Sequence, residues 1–525
     1  LVCEGCGDCS VKSNCISVKP LETKFGRKRV IDQSDCNKDY SCLKGFCPSF
    51  VTVKGGQVRR GAVAKTADPG FDKLPMPVVP ALTRDFNILV TGIGGTGVIT
   101  IGALLGMAAH LEGLRASVLD FTGLAQKNGG VMSHVRLSPD TEELHAVRIG
   151  SGATDLLLAC DLVVAASPAG ISRIDAGRTA AVVNARVTPT AAFVRDGKLA
   201  LDAAIDRKRL SNALGDDAAF IDATGLATAL TGDSIATNLF MLGFAWQRGQ
   251  VPLSFEALDR AIELNAVAVA ANRRAFAWGR LAAHDMSRID ALVTPAALPV
   301  PVIETDLDAL VADRANELTR YQNAGYADRY RATVALAAEA ERRLGAGENG
   351  FALAVARYLF KLMAYKDEYE VARLYTDGRF AEKLRAQFDG DYRLEFNLAP
   401  PIFAKRDPVT GHLRKRAFGP WMMQAFRLLA RAKSLRGTAL DPFGRTAERR
   451  NERAMIADYE QLVHHLSATL TPTNHAAAVD LAALPDAIRG YGHIKDASVD
   501  AAAATRLKLL AAFEKGETAQ AIAAE

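Results

Sequence analysis

Asn87-Ile88-Leu89-Val90-Thr91-Gly92-Ile93-Gly94-Gly95-Thr96-Gly97 is the stretch on which the fold turns. An apolar strand runs straight into Gly-x-Gly-x-x-Gly, a helix is expected over 98–110 with Gly113 to stop it, and a second strand follows at 116–120. In such a β-turn-α-β unit the first glycine permits the tight turn and the second lets backbone approach a pyrophosphate. The third lets helix and sheet pack closely, and the helix N-terminus offers free N–H groups to the anion. Gly92, Gly94, Gly95 and Gly97 are therefore candidate cofactor contacts, with Asp120 a candidate acceptor for a ribose hydroxyl. The pattern does not tell NAD from coenzyme A, and a packing-only role also satisfies it. The segment after Asp120 carries a polar loop, Gln126-Lys127-Asn128-Gly129-Gly130, at the sheet edge where open α/β sheets bind ligands. Gln126, Lys127, Gly129 and Gly130 join the candidates, against a plain surface loop. Further strands are expected at 162–166 and 180–185, giving a mainly parallel sheet, then helices over 234–248 and 255–283.

Seven of the eight cysteines fall within the first 47 positions. Cys3-x2-Cys6-x2-Cys9-x5-Cys15 is followed by Cys36-x2-Asp39-x2-Cys42-x4-Cys47-Pro48. Close Cys-x2-Cys-x2-Cys spacing suits an iron–sulfur cluster, and in two-cluster ferredoxins the last cysteine of each run crosses to the other cluster. Cys3, Cys6, Cys9 and Cys47 would then hold one [4Fe–4S] cluster. Cys15, Cys36 and Cys42 would hold a second, with Asp39 standing where a fourth thiolate is expected. That second site would be an Asp-ligated [4Fe–4S] or a [3Fe–4S] cluster. Zinc is a poorer match to a triple Cys-x2 run, and disulfides fit neither the odd number nor a reduced compartment. Cys160, inside an apolar run, reads as a small buried hydrophobe.

The length allows two to four domains with full cores. No uncharged apolar run is long enough to span a membrane and no leader is visible, so cytoplasmic placement is expected. The net charge of +5 names no partner. A chain opening on Leu1 with its first ligand at Cys3 suggests the C-terminal portion of a longer polypeptide. The expected organisation is a ferredoxin-like iron–sulfur module (1–60), a linker (61–84), an α/β domain (85–290), a linker (291–305), an all-α domain (306–515) and a tail (516–525). Arg27, Lys28 and Arg29 read as a solvated hairpin, or alternatively as a dock for an acidic electron carrier. Phe351, Val355, Tyr358, Leu359, Leu362, Tyr365 and Tyr369 form a stripe for burial. Residues 405–453 carry 13 Lys or Arg against 4 Asp or Glu. Without a groove-reading motif this is no nucleic-acid site; solvated faces, salt bridges, a ferredoxin dock and a seat for coenzyme A phosphates remain. The loop Arg489-Gly490-Tyr491-Gly492-His493 is placed to reach a neighbouring domain, and the alanine-rich tail after Ala501 is expected to fray.

Three stretches together resemble the 2-oxoacid:ferredoxin oxidoreductase family, above all its fused bacterial branch that acts on indolepyruvate. The cysteine runs are similar to its ferredoxin-type segment, and Gly92–Gly97 with Gln126–Gly130 are similar to its γ-type domain. Tyr365-Lys366-Asp367-Glu368-Tyr369, Phe418-Gly419-Pro420-Trp421-Met422 and Leu440-Asp441-Pro442-Phe443-Gly444 are similar to the C-terminal domain of the fused enzymes. The resemblance implies a Rossmann-like γ-type domain and oxidative decarboxylation of an arylpyruvate on thiamine diphosphate with Mg2+. Electrons would leave to ferredoxin, the acyl group would pass to coenzyme A, and a homodimer would be usual. No thiamine signature is seen, so those cofactors are expected on upstream domains and this chain alone is expected to be inactive. Two other readings stand beside it: a non-catalytic electron-transfer and nucleotide-binding subunit, and an NAD-linked iron–sulfur oxidoreductase using Asp120.

Overall fold

The computed structural model describes residues 2–59, 69–122, 129–139, 144, 146–188, 193, 203–215, 218–293, 304–345, 350–400, 404–409 and 411–516. Gln126 and Lys127 lie outside these, as do parts of both expected linkers and residues 517–525.

The cysteine segment holds little regular structure: helix α1 (Asp8–Ser13), hairpin β1 (Val18–Leu21) and β2 (Lys28–Ile31), then β3 (Val51–Lys54) and β4 (Gln57–Val58). The α/β unit is a six-stranded sheet of β5 (Phe86–Ile93), β6 (Arg115–Thr122), β7 (Gly130–Ser138), β8 (Leu156–Ala159), β9 (Ala180–Asn184) and β10 (Ala218–Ile221), in the order β10-β9-β8-β5-β7-β6. Helix α2 (Val98–Leu111) links β5 to β6. Ile88 and Val90 of β5 face a core with α2 and the later helices, while Leu89 faces the opposite layer with Leu157, Ala181 and Val183. The buried helix Thr237–Gln247 crosses Val269–His284 at two glycines: a Cβ on Gly243 would sit 2.0 Å from the Phe276 carbonyl oxygen, and one on Gly279 1.9 Å from that of Phe240.

The sheet is mainly parallel, as expected, with β7 alone inserted antiparallel between β5 and β6. Three expectations need correction here. Residues 162–166 are not a strand: the strand is β8, and the Asp161 carboxylate then accepts the Val164 N–H at 2.9 Å to start the short helix α3 (Leu162–Ala165). A continuous apolar run cannot reveal where strand gives way to helix. The 255–283 stretch is two helices, Phe255–Leu264 and Val269–His284, broken at Ala266 and Ala268, which both take positive φ. Residues 69–74 are not a free linker, since Leu74 is buried and Phe71 meets Trp278 edge-on at 4.9 Å.

The C-terminal region packs its helices around Phe351, Val355, Leu359, Tyr330, Val463 and Leu466. It is not all helix. Strand β11 (Phe388–Asp389) pairs with β4, and β12 (Arg393–Leu398) lies between β3 and β13 (Arg416–Phe418), so the cysteine segment and the C-terminal region share a sheet. Leu394, Phe396 and Leu398 alternate with polar residues, the period of a half-buried strand. The tail does not fray at Ala501, because the last helix runs His493–Lys515 and buries Ala502, Ala512 and Phe513. No helix among the described residues is long and apolar enough to cross a membrane.

Candidate functional site

The seven N-terminal thiols fall into two sets. Burial pushes the Cys6 thiol up to about 12, with Cys47 and Cys3 raising it further. Cys9 is pushed up by burial and by the same neighbours together with Cys6. Cys42 is pushed up to about 11 by burial, then by Cys15 and Cys36, and Asp39 adds to the effect. Gathering thiols where water is scarce disfavours the thiolates of Cys6, Cys9, Cys42 and Cys47. Asp39 itself is exposed, and its Oδ1 accepts from the Ser41 N–H at 2.9 Å and hydroxyl at 2.8 Å. Among the described residues no group of three or more His, Cys, Asp or Glu side chains is arranged to hold a metal ion.

Two glycines bring the first set together. A Cβ on Gly45 would lie 2.8 Å from the Cα of Cys9, so only glycine lets the Cys47 segment close on α1. Gly5, at φ +73°, would put a Cβ 2.2 Å from the Arg27 carbonyl oxygen. That approach lets the Arg29 N–H reach the Cys3 Sγ at 3.4 Å, beside the Gly5 N–H at 3.3 Å. The basic hairpin is thus not solvated, as expected from its charge, but turned inward. Lys28 is buried, and Arg29, half-buried, lies in the field of Cys9 and Cys3.

Each set faces a different neighbour. Lys415 donates to the carbonyls of Gly45 (2.6 Å) and Cys47 (3.3 Å), Tyr375 donates to that of Pro48 (2.6 Å), and Tyr491 to that of Val2. The first set is therefore walled by the C-terminal region. The second abuts the α/β unit: Ser34 and Ser234 share a 3.0 Å hydroxyl contact, and Ser234 also donates to Asp35. Lys415 feels Cys47, Cys42 and Cys9, so it stands between the sets. Much of the basic 405–453 run is spent internally: Arg436 on Asp367, Arg449 on Glu368 and Glu452, Arg453 on the Gly444 carbonyl, and Arg414 on Asp407.

The glycine loop opens onto the second set. A cavity of about 290 Å³ is lined by Gly95, Thr96, Cys160 and Asp161 on one side and by Asp35, Cys36 and Asn37 on the other. Gly97, at φ +93°, precedes α2 with no side-chain cap, which leaves the N–H groups of its first turn open. Gly94 donates to the Gly129 carbonyl at 2.8 Å, joining the two glycine loops, and Gly130 starts β7. Gly92 is tight for a different reason, since a Cβ there would meet Val98 at 2.5 Å. Close helix–sheet packing is served by Gly102, facing Ser133, which the loop motif gave no reason to single out. Asp120 sits apart: its strand pairs with β7, which pairs with β5, so two strand spacings of about 4.8 Å separate it from the loop. Cys160 is buried, and Asp161, missed at the sequence level, is held up at about 6 by burial.

Residues 87–282 match the family model described as pyruvate ferredoxin/flavodoxin oxidoreductase, and 307–508 match a family of unknown function. The Pyrococcus horikoshii protein named indolepyruvate oxidoreductase subunit IorB is 31% identical over 209 residues, which is 39% of this chain and 98% of the relative. This chain belongs to the 2-oxoacid:ferredoxin oxidoreductase family. The Thermococcus kodakarensis protein of the same name is 28% identical over 207 residues, again 39% of this chain and 98% of that relative. Among solved structures, the pyruvate oxidoreductase subunit PORC of Thermotoga maritima is 20% identical and covers 38% of this chain and 96% of its own, with a TM-score of 0.27. Both indolepyruvate oxidoreductase relatives are named as subunits.

Proposed function

We propose that this oxidoreductase-family chain carries the electron exit route of a thiamine-dependent arylpyruvate:ferredoxin oxidoreductase. Cys3, Cys6, Cys9 and Cys47 hold one [4Fe–4S] cluster; Cys15, Cys36, Cys42 and Asp39 hold a second [4Fe–4S] or [3Fe–4S] cluster. The supporting observation is that Cys6 and Cys9 lie in the field of Cys3 and Cys47, and Cys42 in that of Cys15 and Cys36, the grouping that a ferredoxin crossover requires. Their donor chemistry fits, because thiols made costly to ionise by burial become good ligands where iron supplies the compensating charge. When bound, the clusters supply one-electron storage. The chain's own residues set their surroundings: backbone N–H groups of Gly5 and Arg29 donate to Cys3, and Lys415 and Arg29 add positive charge.

Coenzyme A is proposed as a ligand of the γ-type unit, with the open first turn of α2 and the Gly94–Gly129 contact forming the cradle for its pyrophosphate. A nicotinamide nucleotide is the weaker reading, since β7 keeps Asp120 away from that cradle. Carbon chemistry falls to thiamine diphosphate and Mg2+ on domains or subunits outside these residues, and ferredoxin accepts the electrons. A homodimer and a cytoplasmic setting complete the proposal. Calorimetric titration with coenzyme A and with NADH separates the nucleotide readings. Binding of coenzyme A, weakened by Gly94→Val, supports the assignment; binding of NADH alone overturns it.

A further inference from the structure

Away from both thiol sets, a cavity of about 350 Å³ lies between the hairpin turn that leads into Lys28 and the helices Leu307–Tyr321 and Gly350–Met363. Its volume is that of a small-molecule site. Most ionic groups around it are matched: Lys366 with Glu4, Arg373 with Glu370, and Arg489 with Asp486. Three cations in the lining are not. Lys28 is only 9% exposed, yet its ammonium makes no hydrogen bond or ion pair among the described residues. Arg357 donates to the Glu304 carbonyl at 2.8 Å and meets no carboxylate among them. Lys361 donates to the carbonyls of Pro485 and Asp486, and its distance to the Asp486 carboxylate is 4.0 Å, a partner that Arg489 already holds at 2.6 Å.

The carboxylate that acts on Lys28 is Glu4, which Lys366 already holds. A buried ammonium that makes no ion pair of its own is costly and favours an added negative charge. A second observation points the same way. Arg314, 5% exposed, also lines the cavity, and its Nε is buried without a partner while its guanidinium lies 4.4 and 4.9 Å from the stacked rings of Phe25 and Phe360. The wall thus combines surplus positive charge with an aromatic platform. We propose that this cavity binds a small dianion carrying phosphoryl or carboxylate groups, whose charge is received by Lys28, Lys361 and Arg357. The ligand would clamp the hairpin of the cysteine segment to the C-terminal helices and stabilise the folded chain by mass action.

Calorimetric titration of the full chain with pyrophosphate, and separately with succinate at matched ionic strength, tests this. One saturable site per chain is expected for one of the two anions, which decides between phosphoryl and carboxylate chemistry. Lys28→Met is expected to weaken binding at least about ten-fold, whereas Lys28→Arg and the exposed Lys12→Met retain it. Should Lys28→Met fail to fold, Arg357→Met reads the same loss from a half-buried position. No saturable heat with either anion in the millimolar range, or unchanged affinity in both methionine variants, overturns the proposal.

Discussion

Single residues carry the chemistry, and His134 shows how far burial sets it. Its imidazole is held down at about 4 by burial, with Arg173 and Arg148 opposing a further positive charge. The Ile149 N–H donates to its Nδ1 at 3.2 Å, and Phe121 lies edge-on at 5.0 Å. In the unfolded chain the same group takes a proton near pH 6.5. The unfolded state therefore binds more protons between about pH 6.5 and 4, and folded stability falls as pH drops through that window. Melting temperatures at pH 7 and pH 4.5 should differ less in His134→Asn than in the native chain; an equal drop contradicts this. If the proposed second cluster is present, Asp39→Cys should move its optical and paramagnetic spectra toward an ordinary four-thiolate [4Fe–4S] form, and no change would argue that Asp39 is not a ligand. At this scale the sequence was most legible. Cysteine spacing and the glycine loop announce themselves because few residue types can do their jobs. Gly45 and Gly102 did not, because close approach depends on a partner far away in sequence.

Elements were legible where one period ruled. The strand into the glycine loop and α2 are where the pattern puts them. The insertion of β7 was hidden, because alternation marks a strand without naming its neighbours. The same blindness concealed β12, whose partner β3 lies more than three hundred residues earlier. Gly279→Ala tests an element contact: the added methyl meets the Phe240 carbonyl, so the helix pair must part. A loss of about 1–3 kcal/mol is expected in denaturant unfolding; a neutral result would show that the crossing yields freely.

Across the whole molecule, the cysteine segment is wedged between the γ-type unit and the C-terminal region, held to the latter by the shared sheet and by the Lys366–Glu4 ion pair. Within the C-terminal region Arg436, 8% exposed, pairs with the still more buried Asp367 and lies 3.7 Å from the Tyr321 ring centroid. Arg436→Met would strand that carboxylate at a cost of about 3–5 kcal/mol, read as a lower denaturation midpoint. Such distant pairings cannot be read from spacing, which is why salt bridges stood as one of several readings of the basic run. On the division of labour proposed above, the chain alone should show no arylpyruvate decarboxylation, and activity should return when thiamine-bearing partner subunits are added; robust turnover without them would refute it.

The most direct measurement is iron, acid-labile sulfide and electron paramagnetic resonance on anaerobically purified full-length chain. The account predicts about seven to eight iron atoms per chain in two spectroscopically distinct clusters. Cys47→Ser should perturb one signal and Cys42→Ser the other. A folded, colourless chain free of labile sulfide, or one in which both variants alter the same single signal, would contradict it.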